Sequence, residues 1–567
     1  MKSNEVSNDK KELLLLLLPY WTPLIPPLGI SCLKAYLESK GHTVTTADGN
    51  IQPQMNDIYI NYTDKLQEFV PENKKGNFYN LAHRVLRRHM MAYINNDNKK
   101  DYYNLIKILV EKVFYFEIDN SQTDELDEII HNYYNELALY VEKLINKVKP
   151  SVLGLSVYKG TLASSLYAAR IVRSKFPEIE ILMGGGIFAD ELSFGSPNLD
   201  FFLEKTKDYI DHIFVGEGEI LFEKYLSGEL SANQRVYTLA DLNNQIVELS
   251  KAPLPDFGEL DLRFYPQLAS YASRSCPYQC SFCTETVQWG KYRKKSGKQI
   301  VNELQSLSKK YNYQLFLMGD SLLNPIVSDV SDEMIDKKLS LYFDGYLRAD
   351  KPVCDIDNTI KWRKGGFYRA RLGVESGSPK VLKLMNKKIT IDQIRKSLMN
   401  LALSGIKTTT YWVVGHPGET EEDFQQTLDL IEELKDFIWE AECNPFDYFY
   451  TGQTNSNTWA DKRYRLYPEE AKKMLLVETW ALNCEPSREE IYKRVNRFVK
   501  HCRRLGIPNP YSLNDINKAD ERWKKLHKNA VPAVLEFKTG KKINDNLSVE
   551  KIHYADKIKE DEGDFVF

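Results

Sequence analysis

The stretch "SRSCPYQCSFCTE", residues 273–285, carries Cys276, Cys280 and Cys283 in a C-x3-C-x2-C spacing. With eight cysteines in 567 residues, a given cysteine has others at both +4 and +7 by chance about 0.0002 of the time, so the grouping is not accidental. Thiolates select zinc, copper(I) or iron–sulfur clusters. A structural zinc site wants a fourth Cys or His, and the nearest histidines in sequence, His212 and His416, lie more than sixty residues away. A cubane held by three cysteines leaves one iron without a protein ligand, open to a small molecule.

Working outward, the cysteine loop follows "QLASYASRS", an apolar segment that reads as a strand. Downstream, "YQLFLMGDS", "LYFDGYLRAD", "YRARLGVESGS", "KTTTYWVVGHPGE" and "ECNPFDYFY" read as five more strands, each separated by a helical pattern. Six βα units over 265–455 predict an open or partial TIM-like barrel with its active-site loops at the strand ends. From 456 to 567 the pattern is helical, ending in the acidic tail "KIKEDEGDFVF".

Upstream, "LLLLLL", "HTVTTADGN", "SVLGLSV", "IEILMGGG" and "DHIFVGEGE" are strand-like and joined by helices. They predict a doubly wound parallel α/β sheet over 1–226, with ligands beyond its carboxyl strand ends. Residues 52–147 interrupt it with apolar positions three and four apart, as in "YYNLIKILVEKVFYF", and are expected to form an inserted helical subdomain. Residues 227–264 read as a connector.

These motifs together resemble the radical S-adenosylmethionine (SAM) superfamily, whose signature is C-x3-C-x2-C after the first barrel strand. The resemblance implies a [4Fe–4S] cluster on Cys276, Cys280 and Cys283. It implies SAM beside Phe282, with Gly319, Asp320 and Ser321 of "LFLMGDS" at the methionine amino group. Glu375 and Ser376 of "LGVESGS" would meet its ribose and carboxylate, and Gly415 of "VVGHPGET" its adenine side. Reductive SAM cleavage would give a 5′-deoxyadenosyl radical that takes hydrogen from an unactivated carbon.

The first section resembles the cobalamin-binding domain often fused ahead of such barrels, through "PPLGISCLKAYLESKGHTV", "LGLSVYKGT", "ILMGGGIFADE" and "FVGEGE". It points to Ser156, Gly184, Gly185, Gly186, Gly216, Glu217 and Gly218 as cobalamin-side positions. The Asp-x-His-x-x-Gly motif that supplies a histidine to cobalt is absent, and His42 in "KGHTV" sits at the wrong end of its strand. The implied activity is cobalamin-dependent C-methylation of a peptide or small molecule. A radical cyclisation, rearrangement or oxidation without methyl transfer stays open beside it, as does a non-catalytic metal-binding protein.

Composition narrows the partners. Hydrophobic residues make up 43%, charged residues 27%, and the formal net charge is −3. These values suit a globular chain and give no general attraction to nucleic acid. Six leucines before Pro19 are too short for a membrane span. The five other cysteines are too few for a disulfide framework and read as reduced residues of a cytoplasmic protein. The basic run "KYRKKSGK", 291–298, is expected to be a solvated face, or alternatively a dock for a flavodoxin- or ferredoxin-type electron donor. His416 reads as a loop residue, and Tyr448 and Tyr450 as core residues or cavity wall.

Overall fold

Leu13 to Leu18 are each no more than 3% exposed, as a strand covered on both faces requires. They organise the first layer of the computed structural model, which describes residues 12–20, 24–451, 453–508, 513–528 and 530. The expected acidic tail and Trp21 lie outside these residues.

The strands β1 (Glu12–Leu17), β2 (Thr43–Asp48), β3 (Val152–Ser156), β4 (Glu180–Gly184), β5 (His212–Val215) and β6 (Val236–Thr238) form one sheet in the order β2-β1-β3-β4-β5-β6. Every pairing is parallel. The order reverses between β1 and β3, which is where a doubly wound sheet opens its ligand crevice. The sixth strand corrects the sequence reading, because it comes from the expected connector. Tyr237 of β6 is fully buried and stacks on Phe214 with ring centroids 5.1 Å apart, which explains why so short a strand stays on the edge.

Between β2 and β3 the insertion forms the helices Pro53–Phe69, Phe78–Asn95, Lys99–Phe114 and Asn120–Val148. The last begins with a capping box in which Asp119 and Gln122 satisfy each other's backbone N–H groups. Its apolar stripe joins the same core as β1 and β3.

The second sheet holds β7 (Leu268–Ser270), β10 (Leu315–Met318), β11 (Tyr342–Leu347), β12 (Phe367–Glu375), β13 (Lys407–Val414) and β14 (Glu440–Pro445), all parallel and in sequential order. β7 and β14 stay unpaired with each other, so this is the expected partial barrel of six strands. The short antiparallel pair β8 (Ser273–Arg274) and β9 (Arg293–Lys294) brackets the cysteine loop.

Among its described residues, the C-terminal region is helical except for one antiparallel pair, β15 (Arg463–Arg465) with β16 (Trp480–Leu482). The helix Leu513–Leu526 closes the barrel's amino-terminal end. There Trp523 is fully buried in a cluster with Trp439 and Ala402, and Asp520 meets Lys407 at 2.6 Å.

The carboxyl ends of the two sheets face each other. Leu28, just after β1, lies against Gly319 at the end of β10. The Lys159 ammonium, beyond β3, sits 4.0 Å from the Phe449 ring centroid beyond β14. The insertion roofs this meeting place: Asn77 donates to the Cys443 carbonyl at 2.7 Å, and Arg84 pairs with Asp447 at 2.7 Å. Among the described residues no helix is long and apolar enough to cross a membrane.

Candidate active site

The cysteine loop is pinned largely by backbone contacts to neighbouring strand-end loops. Ser281 N–H donates to the Met385 carbonyl at 2.9 Å, and Asn386 Nδ2 donates to the Gln279 carbonyl at 2.6 Å. From beyond β14, Thr454 and Asn455 donate backbone N–H groups to the carbonyls of Cys283 and Ser281. Gln453 donates to the carbonyl of Phe282 at 3.1 Å, so the half-buried ring is set by its backbone.

Cys280 is 8% exposed, while Cys276 and Cys283 are half-buried. Burial raises the thiol of Cys276, and that of Cys283 is pushed up to about 12, with the other cysteines' charges adding to both. The three thiols therefore share one electrostatic neighbourhood. The three donors are thiolates, the ligand type that iron–sulfur clusters select, and a cubane takes each on a different iron while leaving a fourth iron without a protein ligand.

Arg348, which the sequence reading did not single out, stands beside this loop. Its guanidinium lies 4.0 Å from the Tyr278 ring centroid, and Nη1 approaches Cys280 Sγ at 3.9 Å. An arginine after an apolar strand carries no local mark of such a role.

The residues expected around SAM are brought to the same rim, with differing occupations. Asp320 is buried, accepts from Ala272 N–H at 2.9 Å and from the Ser273 hydroxyl, and is pushed up to about 6 by burial. Its oxygens thus tie the end of β10 to the chain entering the cysteine loop. Gly319 N–H donates to the Ser270 carbonyl, and the Ser321 hydroxyl donates to Glu285. Glu375 pairs with Lys387 at 2.6 Å, both under 10% exposed. Its φ of 68° is left-handed, and β12 changes register against β13 at this point. Such backbone in a glutamate costs energy that surrounding structure must offset, as occurs at functional sites. Ser376 accepts from Ser378 N–H at 3.1 Å.

Gly415 has φ 85°, and a Cβ there would lie 2.3 Å from Ile491. Its N–H donates to Glu419, whose carboxyl burial pushes up to about 7 beside Arg494 at 2.8 Å. His416 reaches Ser281 at 3.2 Å through Nε2 and packs edge-on against Phe446 and Trp459. Burial holds its imidazole down to about 4, so it is a neutral brace between two loops at ordinary pH. Tyr448 is buried, and Tyr450 carries the Arg463 guanidinium 4.0 Å above its ring.

The cobalamin-side positions are occupied differently from expectation. A Cβ on Gly185, whose φ is 116°, would lie 2.6 Å from the Val157 carbonyl oxygen, and one on Gly186 would lie 2.9 Å from the Tyr158 ring. Gly184 meets Phe214 at ordinary distance and Gly216 meets Leu239. The close approaches at Gly185 and Gly186 are thus made by the chain's own loop after β3, a strand that ends at half-buried Ser156. Gly218 alone of these five glycines has nothing within 4 Å. Glu217 is turned to the cysteine loop, where it accepts from Arg274 at 2.7 Å and also holds Arg293, while Glu219 also pairs with Arg274.

Those contacts correct the reading of the basic run. Arg293 belongs to that ion-pair group, and Lys295 is 3% exposed and pairs with Glu303 at 2.7 Å. Lys291, Lys294 and Lys298 remain on the surface.

Residues 270–431 match the family model described as the Radical SAM superfamily. A curated relative, the anaerobic magnesium-protoporphyrin IX monomethyl ester cyclase of Rubrivivax gelatinosus, is 24% identical over 318 residues, covering 51% of this chain and 55% of that protein. The chain therefore spans about half the length of that relative. Two solved structures share the fold. The radical SAM methyltransferase TsrM from Kitasatospora setae, with tryptophan and a SAM analogue bound, gives a TM-score of 0.58 at 12% identity, covering 87% of this chain and 89% of that one. The cobalamin-dependent radical SAM enzyme OxsB, with aqua-cobalamin bound, gives 0.51 at 16% identity, covering 83% and 57%.

Proposed function

We propose that this chain, a radical SAM enzyme by virtue of its central barrel, performs cobalamin-dependent methylation at an unactivated carbon of a peptide or small molecule. The observation that carries the reading is the face-to-face placement of the two strand-end rims, because it sets a SAM-side loop opposite a cobalamin-side sheet. When bound, the cluster and SAM supply one-electron and radical chemistry, and cobalamin a methyl group.

The chain's own residues orient and enclose. Cys276, Cys280 and Cys283 would hold the cluster, and Phe282, Glu375, Ser376 and Gly415 would lie along SAM. Of the "MGDS" turn, the Gly319 carbonyl and the Ser321 hydroxyl oxygen would accept from the amino group, while Asp320 already accepts from Ala272 and Ser273. Arg84 with Asp447 and Arg87 with Glu191 tie the insertion to the neighbouring strand-end loops, and Lys159 pairs with Asp190 between the loops after β3 and β4. These pairs put both signs of charge at the junction, which suits a polar substrate better than a hydrocarbon.

One observation favours a second reading, radical cyclisation or rearrangement without a methyl carrier: Val157 and Tyr158 fill the space beside Gly185 and Gly186. Anaerobic reconstitution with iron, sulfide and hydroxocobalamin decides between them. Retained cobalamin absorbance with 5′-deoxyadenosine formation supports methyl transfer. SAM cleavage without retained cobalamin supports the second reading, and no cleavage under strong reductant defeats both.

A further inference from the structure

Arg348 directly follows β11 in "GYLRAD" and is 4% exposed. Asn324 clamps its backbone on both sides: Arg348 N–H donates to Asn324 Oδ1 at 2.8 Å, and Asn324 Nδ2 donates to the Arg348 carbonyl at 2.9 Å. The head is therefore aimed. Asp350, held by Asn324, lies within electrostatic range, while the guanidinium itself meets the thiol of Cys280 at 3.9 Å and the face of Tyr278. Its Nη2 is buried and, among the described residues, has no acceptor. Arginine does not shed its proton to relieve such a position, so Nη2 wants a further acceptor on the cysteine side.

We propose that Arg348 is the counter-charge of the iron–sulfur cluster and holds its reduction potential above what three cysteines alone would give. The proposal rests on the reading of the cysteine loop as a cluster site. A cubane bearing three thiolates is anionic, and reduction adds one electron from a donor of the flavodoxin class or from dithionite. A fixed cation in a poorly solvated position favours that more negative state. A hydrogen bond from Nη2 to a cluster or cysteine sulfur acts in the same direction.

The test uses the full chain, reconstituted anaerobically as wild type, Arg348→Gln and Arg348→Lys, with iron and sulfide counted and the cluster titrated potentiometrically by electron paramagnetic resonance. At equal iron content, Arg348→Gln should be reduced about tenfold less favourably, about 59 mV lower for a one-electron couple. Arg348→Lys should lie between it and wild type. A fully loaded Arg348→Gln titrating at the wild-type potential overturns the proposal. If Arg348→Gln loses the cluster, Arg348→Lys must keep it near the wild-type potential; loss in both variants overturns the proposal, because a role in charge survives in lysine. A wild-type chain that takes up no iron defeats the cluster reading beneath, a separate result.

Discussion

The Arg274 guanidinium, two residues ahead of Cys276, donates to Glu217 at 2.7 Å across the junction between the two sheets. Both side chains are no more than 11% exposed, and Glu219 and Arg293 complete the group. Removing one side of a buried pair leaves an uncompensated charge and costs roughly 3–5 kcal/mol. The double change Glu217→Ala, Glu219→Ala should therefore lower the denaturation midpoint and reduce iron retained per chain after reconstitution. Unchanged stability and iron content would show that the junction does not hold the cysteine loop.

A pH dependence follows from Asp320. In the folded chain burial keeps its proton up to about pH 6, against an ordinary value of 3.8. A raised carboxyl favours the fold below the unfolded value, and that contribution is lost as pH rises through the folded one. The difference amounts to something on the order of 3 kcal/mol. Asp320→Asn, uncharged throughout, should gain stability relative to wild type between pH 4 and about pH 7. Parallel denaturation curves for the two proteins across that range would contradict this.

Much of the architecture was legible in the sequence because it is written locally. Most of the barrel strands carry an apolar or β-branched run bounded by loops, and the insertion shows helical spacing. Long-range pairing leaves no such mark. Glu217 and Arg274 lie 57 positions apart, so "GEGE" reads as a ligand loop until its partners are seen. Three-residue β6 is too short to show a period and hid inside the connector. Arg348 and Lys295 look like surface cations, because burial of a charge is decided by packing. Gly185 and Gly186, just after β4, are closely approached by Val157 and Tyr158, and a sequence does not say whether ligand or chain comes close.

Glu375 can be separated from mere stability through Gly373. A Cβ on Gly373 would fall 2.5 Å from Glu375 Oε1 and 3.0 Å from Lys387 Nζ, displacing the pair without changing charge. Both ends are side chains that can turn away, so the fold should survive. Gly373→Ala and Glu375→Gln should each weaken SAM binding about tenfold or more, corresponding to roughly 1.4 kcal/mol, as read by calorimetry on the cluster-loaded protein. Wild-type affinity in both variants removes Glu375 from the SAM site.

The cobalamin reading can be tested at Gly218, where added side-chain volume meets no protein atom within 4 Å. At Gly185 or Gly186 the same addition would strike Val157 or Tyr158, and any loss of function would be confounded by misfolding. Gly218 opens the helix Gly218–Leu226, a position that tolerates a leucine because the change adds no backbone strain. Gly218→Leu should therefore keep the wild-type denaturation midpoint and iron content. If the corrin ring lies over the carboxyl end of β5, the variant should retain at least tenfold less hydroxocobalamin after gel filtration, by absorbance. Equal retention would place cobalamin away from the "GEGE" corner, on the β1–β3 side of the sheet where the strand order reverses.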